Sequence, residues 1–106
     1  MLVTLKDMMG IAEKEGIAIG GFNTPNLASL EAVIGAAEEE KLPVILMFAE
    51  CHDEWVSLDL IGPAMLNAAK QATVPVCVHL DHGEHLEYLK KALGLGFTGI
   101  MYDGSV

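Results

Sequence analysis

Pro43-Val44-Ile45-Leu46-Met47-Phe48-Ala49 is a proline followed by an apolar run with no polar residue in it. A strand with one wet face alternates polar and apolar side chains, so an unbroken run fits a strand buried on both faces. That favours a parallel sheet over a half-exposed hairpin, and a parallel sheet needs helical crossovers on either side of the strand. Towards the N-terminus, Leu30, Val33, Ile34 and Ala37 share one face of a helix predicted over Leu27 to Lys41, which Pro43 stops. Glu31 and Glu38 to Glu40 lie largely outside that face, as a solvated helix end. Before it, Ile17 to Phe22 is a β-branched, apolar stretch interrupted by Gly20 and Gly21, and Asn23-Thr24-Pro25-Asn26 is turn chemistry. A leading helix carries Leu2, Leu5, Met8, Met9, Ile11 and Ala12 at helical spacing, with Thr4 and Asp7 as a capping pair and Gly16 at its close.

Towards the C-terminus the central run ends at Glu50-Cys51-His52-Asp53. A helix is predicted from Leu58 to Gln71, with Gly62-Pro63 in or near its first turn as an interruption that could split it. Val74 to Leu80 is a third strand with Pro75 at its entry, where a missing donor is tolerated. Glu84 to Leu93 is a charged amphipathic helix closed by Gly94 and Gly96, and Gly99 to Tyr102 is a fourth strand. Strand, helix, strand in strict alternation implies an α/β fold with parallel strands. Two architectures use this order, an open doubly wound sheet and a (β/α)8 barrel, and a barrel needs eight strands and roughly 250 residues. Four strands are half of one.

Composition limits the function classes. Of 106 residues 52% are apolar and 20% charged, which is globular, and no apolar run approaches the roughly 20 residues of a membrane helix. A chain of this size buries about two thirds of its unfolded surface, enough for one core and too little for two domains. The formal charge is −9, six lysines supply all the positive charge and there is no arginine. A nucleic-acid partner is therefore not expected. Cys51 and Cys77 with no signal-like leader suggest free thiols and a cytoplasmic location.

Ligands of parallel α/β folds bind beyond the carboxyl ends of the strands. Those ends carry Asn23 and Asn26; Glu50, His52 and Asp53; His79, Asp81 and His82; and Asp103 and Ser105. The opposite ends carry Gly16, Leu42, Val74 and Phe97, with no such cluster. The sharpest element is His79-Leu80-Asp81-His82-Gly83. Strand alternation puts His79 and Asp81 on one face and Leu80 on the other, while His82 begins the turn and can swing over the strand end. Two histidines flanking an aspartate at a strand end are a metal-site candidate, and the neighbouring carboxylate can orient a ligand or transfer a proton. His79 reads as a buried supporting residue. Tyr102, Met47, Met65 and Met101 read as packing residues, and Glu50 and His52 either as solvated polar groups on a loop or as extra ligands.

Gly21-Phe22-Asn23 with Asn26, Pro43 to Leu46, Pro75 to Gly83 with its His-x-Asp-His-Gly core, and Gly96-Phe97-Thr98 through Asp103-Gly104-Ser105 together resemble the class II, metal-dependent ketose-bisphosphate aldolases. The resemblance spans nearly the whole chain and implies the N-terminal half of a (β/α)8 TIM barrel over residues 1–106, truncated just past its fourth strand. It implies a zinc enzyme that reversibly cleaves a ketose bisphosphate to dihydroxyacetone phosphate and an aldehyde. His82 matches a catalytic zinc ligand, Asp81 the acid/base carboxylate, Asp103 an auxiliary metal position, and Asn23 a substrate contact. The expected partners are a small sugar phosphate and further copies of the chain as a homo-oligomer. The chain departs from the family pattern in three places: Met47 and Ala49 stand where many relatives have glutamine and a phosphate-holding serine, and His85 stands where they often have serine. The resemblance also places the remaining zinc-binding histidines and the main phosphate loop on later strands. Since a catalytic zinc site ordinarily takes three protein ligands, the isolated chain is expected to be inactive. The readings that compete with it are a noncatalytic, self-associating half-barrel and another barrel metalloenzyme.

Overall fold

The computed structural model describes residues 1–105; Val106, the last residue of the expected half-barrel, lies outside them. Helix α1 (Leu5–Glu15) begins on a reciprocal capping box between Thr4 and Asp7 and ends at Gly16, whose φ of 65° is the left-handed cap that glycine adopts without strain. Strand β1 (Gly21–Asn23) is followed by α2 (Leu27–Glu40), β2 (Val44–Ala49), a 3₁₀ turn over Glu50–Glu54, α3 (Leu58–Gln71), β3 (Val76–Gly83), α4 (Leu86–Leu95) and β4 (Gly99–Tyr102). The strands form one parallel sheet in the order β1-β2-β3-β4. Sequential order is the barrel solution; a doubly wound sheet would reverse direction partway.

The two faces of the sheet are covered differently. Leu46, Phe48, Val76, Val78 and Leu80 point towards α2, α3 and α4 and form the larger core with Leu30, Ile61, Met65, Leu66 and Leu89. Ile45 and Cys77 point the other way, onto Met8 of α1 with Val3, Leu5, Ile11 and Met47 around them. Leu2 bridges to Val76, and the Leu5 amide donates to the Thr98 carbonyl, so α1 lies across the entry ends of the strands. The carboxyl ends of the strands on this same face are left clear of α1, and there the polar residues collect.

Several boundaries differ from the sequence expectation. The first strand pairs only over Gly21–Asn23, and the Ile17 to Gly20 lead-in contributes just the Gly20 carbonyl to the Ile45 amide. α2 ends on Lys41, at φ 57°, before Pro43 can act. Glu38 is not merely solvated: its carboxylate accepts from the Thr73 amide and hydroxyl at 2.9 and 3.0 Å, tying α2 to the end of α3. α3 runs unbroken through Pro63, which is exposed, while Gly62 faces inward against Leu58, Leu95 and Phe97. α4 starts and ends two residues later than expected, and β3 extends three residues further, through Gly83. Met65 packs as expected, but Met101 and Tyr102 are 39% and 61% exposed because β4 is an edge strand with no neighbour to cover it.

Candidate active site

β3 does not end as a regular strand. Its register with β4 runs Leu80↔Ile100 and then Gly83↔Tyr102, so three steps on β3 oppose two on β4. Asp81 and His82 form this bulge, and His82 has φ 45°, a conformation a non-glycine residue holds only when its surroundings impose it. Leu80 is fully buried among the helices, while His79 and Asp81 lie on the α1 face, as strand alternation predicts. The bulge turns His82 outward at the strand end with its ring between two carboxylates. Nδ1 lies 3.0 Å from Asp103 Oδ2, and Nε2 lies 3.6 Å from Asp81 Oδ2.

These contacts fix the protonation of the site. Asp103 accepts from the Ser105 hydroxyl and amide and from His82, and the hydroxyl together with the imidazole holds its pKa down to about 2. An ionised carboxylate only accepts, so His82 Nδ1 is the protonated nitrogen and donates to it. Asp103 first, and Asp81 after it, raise the His82 pKa. Nε2, on the Asp81 side, is then the nitrogen that gains or loses the second proton of the ring.

Of the other predicted residues, Asn23 is the last residue of β1, exposed, and paired with Met47 across the sheet on the same face. Asn26 is the N-cap of α2, accepting from the Ser29 amide at 2.8 Å, which gives it a structural task. His79 is half-buried beside Asp81, and among the described residues its Nδ1 has no hydrogen-bond partner. Burial lowers its pKa, more than Asp81 raises it, and keeps the ring neutral. A Cβ on Gly99 would lie 2.7 Å from that Nδ1, so the glycine makes room for the ring.

The turn after β2 is organised rather than solvated, which corrects the loop reading of Glu50 and His52. His52 Nδ1 accepts from the Ala49 amide, and its ring meets Phe48 edge-on at 5.5 Å. Glu50 accepts from the Glu84 and His85 amides at 2.9 and 3.1 Å and from the His85 ring. Asp53 accepts from the Leu58 amide and the Tyr88 hydroxyl. Glu84, His85 and Tyr88 lie 34 or 35 residues from the carboxylates they meet, so spacing along the chain carries no sign of these contacts. Among the described residues, Glu50, Glu84 and His85 bring one donor atom each within 4.8 Å of one another. The Glu50 oxygens already hold two amides and a ring, so this group is a hydrogen-bonded cluster. Asp81 and Asp103 do not converge with His82 on one point; they sit on its two ring nitrogens. The donor chemistry of a free imidazole nitrogen facing a carboxylate fits a divalent cation.

A sequentially ordered parallel sheet with its polar residues gathered at the carboxyl strand ends is the α/β-barrel type of enzyme scaffold, represented here by its first four strands. The class-II fructose-bisphosphate aldolase profile matches residues 3–106, and the chain belongs to that family. It is 41% identical to the "Probable fructose-bisphosphate aldolase" of Bacillus subtilis (strain 168), over 98% of this chain and 38% of that protein. It is 43% identical to the fructose-bisphosphate aldolase of Thermus caldophilus, over 99% of this chain and 34% of that one. The crystal structure of the YdjI aldolase from Escherichia coli K12 superposes with a TM-score of 0.93 at 36% identity, covering 99% of this chain and 41% of that chain. The chain thus spans between a third and two fifths of the length of these relatives.

Proposed function

We propose that residues 1–106 are the N-terminal half of a metal-dependent class II aldolase barrel and carry part of its catalytic site. The reaction is the reversible cleavage of a ketose bisphosphate to dihydroxyacetone phosphate and an aldehyde, and the isolated half is inactive. The observation that carries the reading is the His82 ring at the strand end, with Asp103 on one nitrogen and Asp81 beside the other. In this reading Nε2 of His82 is a metal ligand. Asp103 is the carboxylate behind it that fixes the tautomer and orients the ring, an arrangement typical of metal-bound histidines. A divalent cation, zinc in this reading, supplies Lewis-acid polarisation of the substrate carbonyl. Asp81 faces the same space and moves the proton to and from the oxygen of the aldehyde as the carbon–carbon bond forms and breaks. Asn23, across the sheet on the same face, contacts the substrate. With no arginine in the chain, the substrate phosphates are held by backbone amides, a lysine or the other half of the barrel.

The test joins this chain to the remaining barrel of the Thermus caldophilus relative and assays fructose 1,6-bisphosphate cleavage. The expected result is activity abolished by a chelator and lowered about 100-fold or more by Asp81→Ala, the range of a lost general acid–base group. Activity indifferent to both changes overturns the reading.

A further inference from the structure

We propose that Glu50 is a positioning residue: its carboxylate pins the β3–α4 turn from the β2 side and thereby holds the Asp81–His82 bulge in shape. The role rests on the reading of Asp81 and His82 given above. The bulge is a strained element. His82 sits at a positive φ without being glycine, and such a conformation persists only where neighbours over-determine it. On the β4 side the restraint is visible: the Asp103 amide donates to the Gly83 carbonyl at 2.8 Å, and the Asp103 carboxylate takes the His82 ring. On the β2 side the last register pair is Ala49↔Asp81, and the next residue along β2 is Glu50. Its side chain, 14% exposed, crosses to the far end of the bulge and receives the Glu84 amide, the His85 amide and the His85 ring.

α4 depends on this contact. His85 is its N-cap residue but makes no capping bond with its own side chain; Glu50, from another loop, takes the N–H of His85 itself, the bond that an N3 side chain makes in a capping box. Asp53 repeats the connection one turn further on, through the Tyr88 hydroxyl at 2.9 Å. Gly83 is buried with little room for a Cβ, which would meet Leu89 and Leu80 side chains at 3.1 to 3.2 Å. With Gly83 seated, Glu84 and His85 clamped by Glu50, and His82 clamped by Asp103, the turn has no freedom to relax the bulge towards a regular strand. A regular strand would return His82 to the opposite side of the sheet from Asp81.

The experiment follows this chain by heteronuclear NMR as wild type, Glu50→Ala, Glu50→Gln, Glu50→Asp and Asp103→Ala, without metal. In Glu50→Ala the Glu84 and His85 amides are expected to exchange about fivefold faster or more, as loss of a helix N-cap implies. The His82 ring-nitrogen shifts move towards those of Asp103→Ala. Glu50→Gln keeps an acceptor for the amides and leaves His82 near its wild-type position. Glu50→Asp, one methylene shorter, moves His82 part of the way and stands in for the alanine variant if that chain does not fold. His82 signals unmoved in Glu50→Ala or Glu50→Asp while the two amides lose protection would reduce Glu50 to a helix cap and overturn the positioning role. So would His82 signals displaced in Glu50→Gln with the amides still protected. A failure of the catalytic reading shows up instead in the Asp81→Ala assay and leaves these signals where they are.

Discussion

His82 is required in a backbone conformation that its side chain disfavours. At φ 45° an L-residue brings its Cβ close to the following carbonyl, at a cost of about 1–2 kcal/mol that glycine escapes. The same position carries the imidazole between Asp81 and Asp103, and backbone strain of this kind clusters at active sites. The strain can be separated from the ring's contacts by comparing two variants that both lack the ring. In an ordinary strand glycine is less stable than alanine by roughly 0.5–1 kcal/mol, because it loses more freedom on folding. At position 82 the sign is expected to reverse, with His82→Gly more stable than His82→Ala by up to about 1 kcal/mol in urea unfolding at fixed pH. An alanine variant as stable as the glycine one, or more so, would mean that the bulge does not impose the left-handed backbone.

The loop after β2 and the start of α4 behave as one element, because Glu50 and His85 join them, and the joint has a calculable pH window. Burial works against ionisation of Glu50, but the His85 ring and the two amides outweigh it and bring its pKa below the ordinary 4.5. Glu50, and Glu84 to a lesser degree, raise the His85 pKa above its ordinary 6.5. A depressed carboxylate stabilises the fold above its unfolded pKa and loses that contribution as pH falls through the lower folded value. A raised histidine stabilises below its unfolded pKa and loses that contribution as pH rises through the higher folded value. The joint is therefore at full strength between about pH 4.5 and 6.5, and weakens on both sides. Melting temperatures of wild type minus His85→Ala, measured from pH 3 to 9, should peak in that interval; a difference that grows steadily to pH 9 would contradict the pairing. The elements themselves were unevenly legible. The bounds of β2, α3 and β4 are legible in the sequence, because an apolar run, a helical stretch and a glycine boundary are local signals, although Gly62-Pro63 does not split α3. β3 was read too short and its end as a simple turn, since a bulge breaks the two-residue period on which strand reading depends. The Asp81–His82 pair was visible as a strand-end motif. The partners that hold it, Glu50 and Asp103, act across 21 to 35 residues and follow only from the register of the sheet.

At the scale of the molecule, both outer strands of the sheet are edges, and the β1 edge stands beside an apolar groove of about 480 Å³ on its helix-covered side. Ile17, Gly20 and Phe22 line one wall and Val33 and Ala36 of α2 the other, and Phe22 and Leu42 are 51% and 50% exposed. The helices between the strands pack side by side in chain order: α2 against α3, and α3 against α4. The groove is the next such position, on the free side of α2. Relatives more than twice as long share this part of their length. In the 106-residue chain two effects oppose one another. Unpaired strand edges and exposed apolar area favour association, whereas a formal charge of −9 on every copy repels it. The repulsion is screened by salt, with a Debye length of about 8 Å at physiological ionic strength, while apolar contact is not screened. Self-association that strengthens with salt is therefore expected in sedimentation velocity. Fully burying a phenylalanine is worth about 1.5–3 kcal/mol, and half of that remains available at Phe22, so Phe22→Lys should weaken association by about threefold to twelvefold. Association that weakens with salt, or that Phe22→Lys leaves unchanged, would place the contact on a charged surface elsewhere and leave the β1 groove without a role in it.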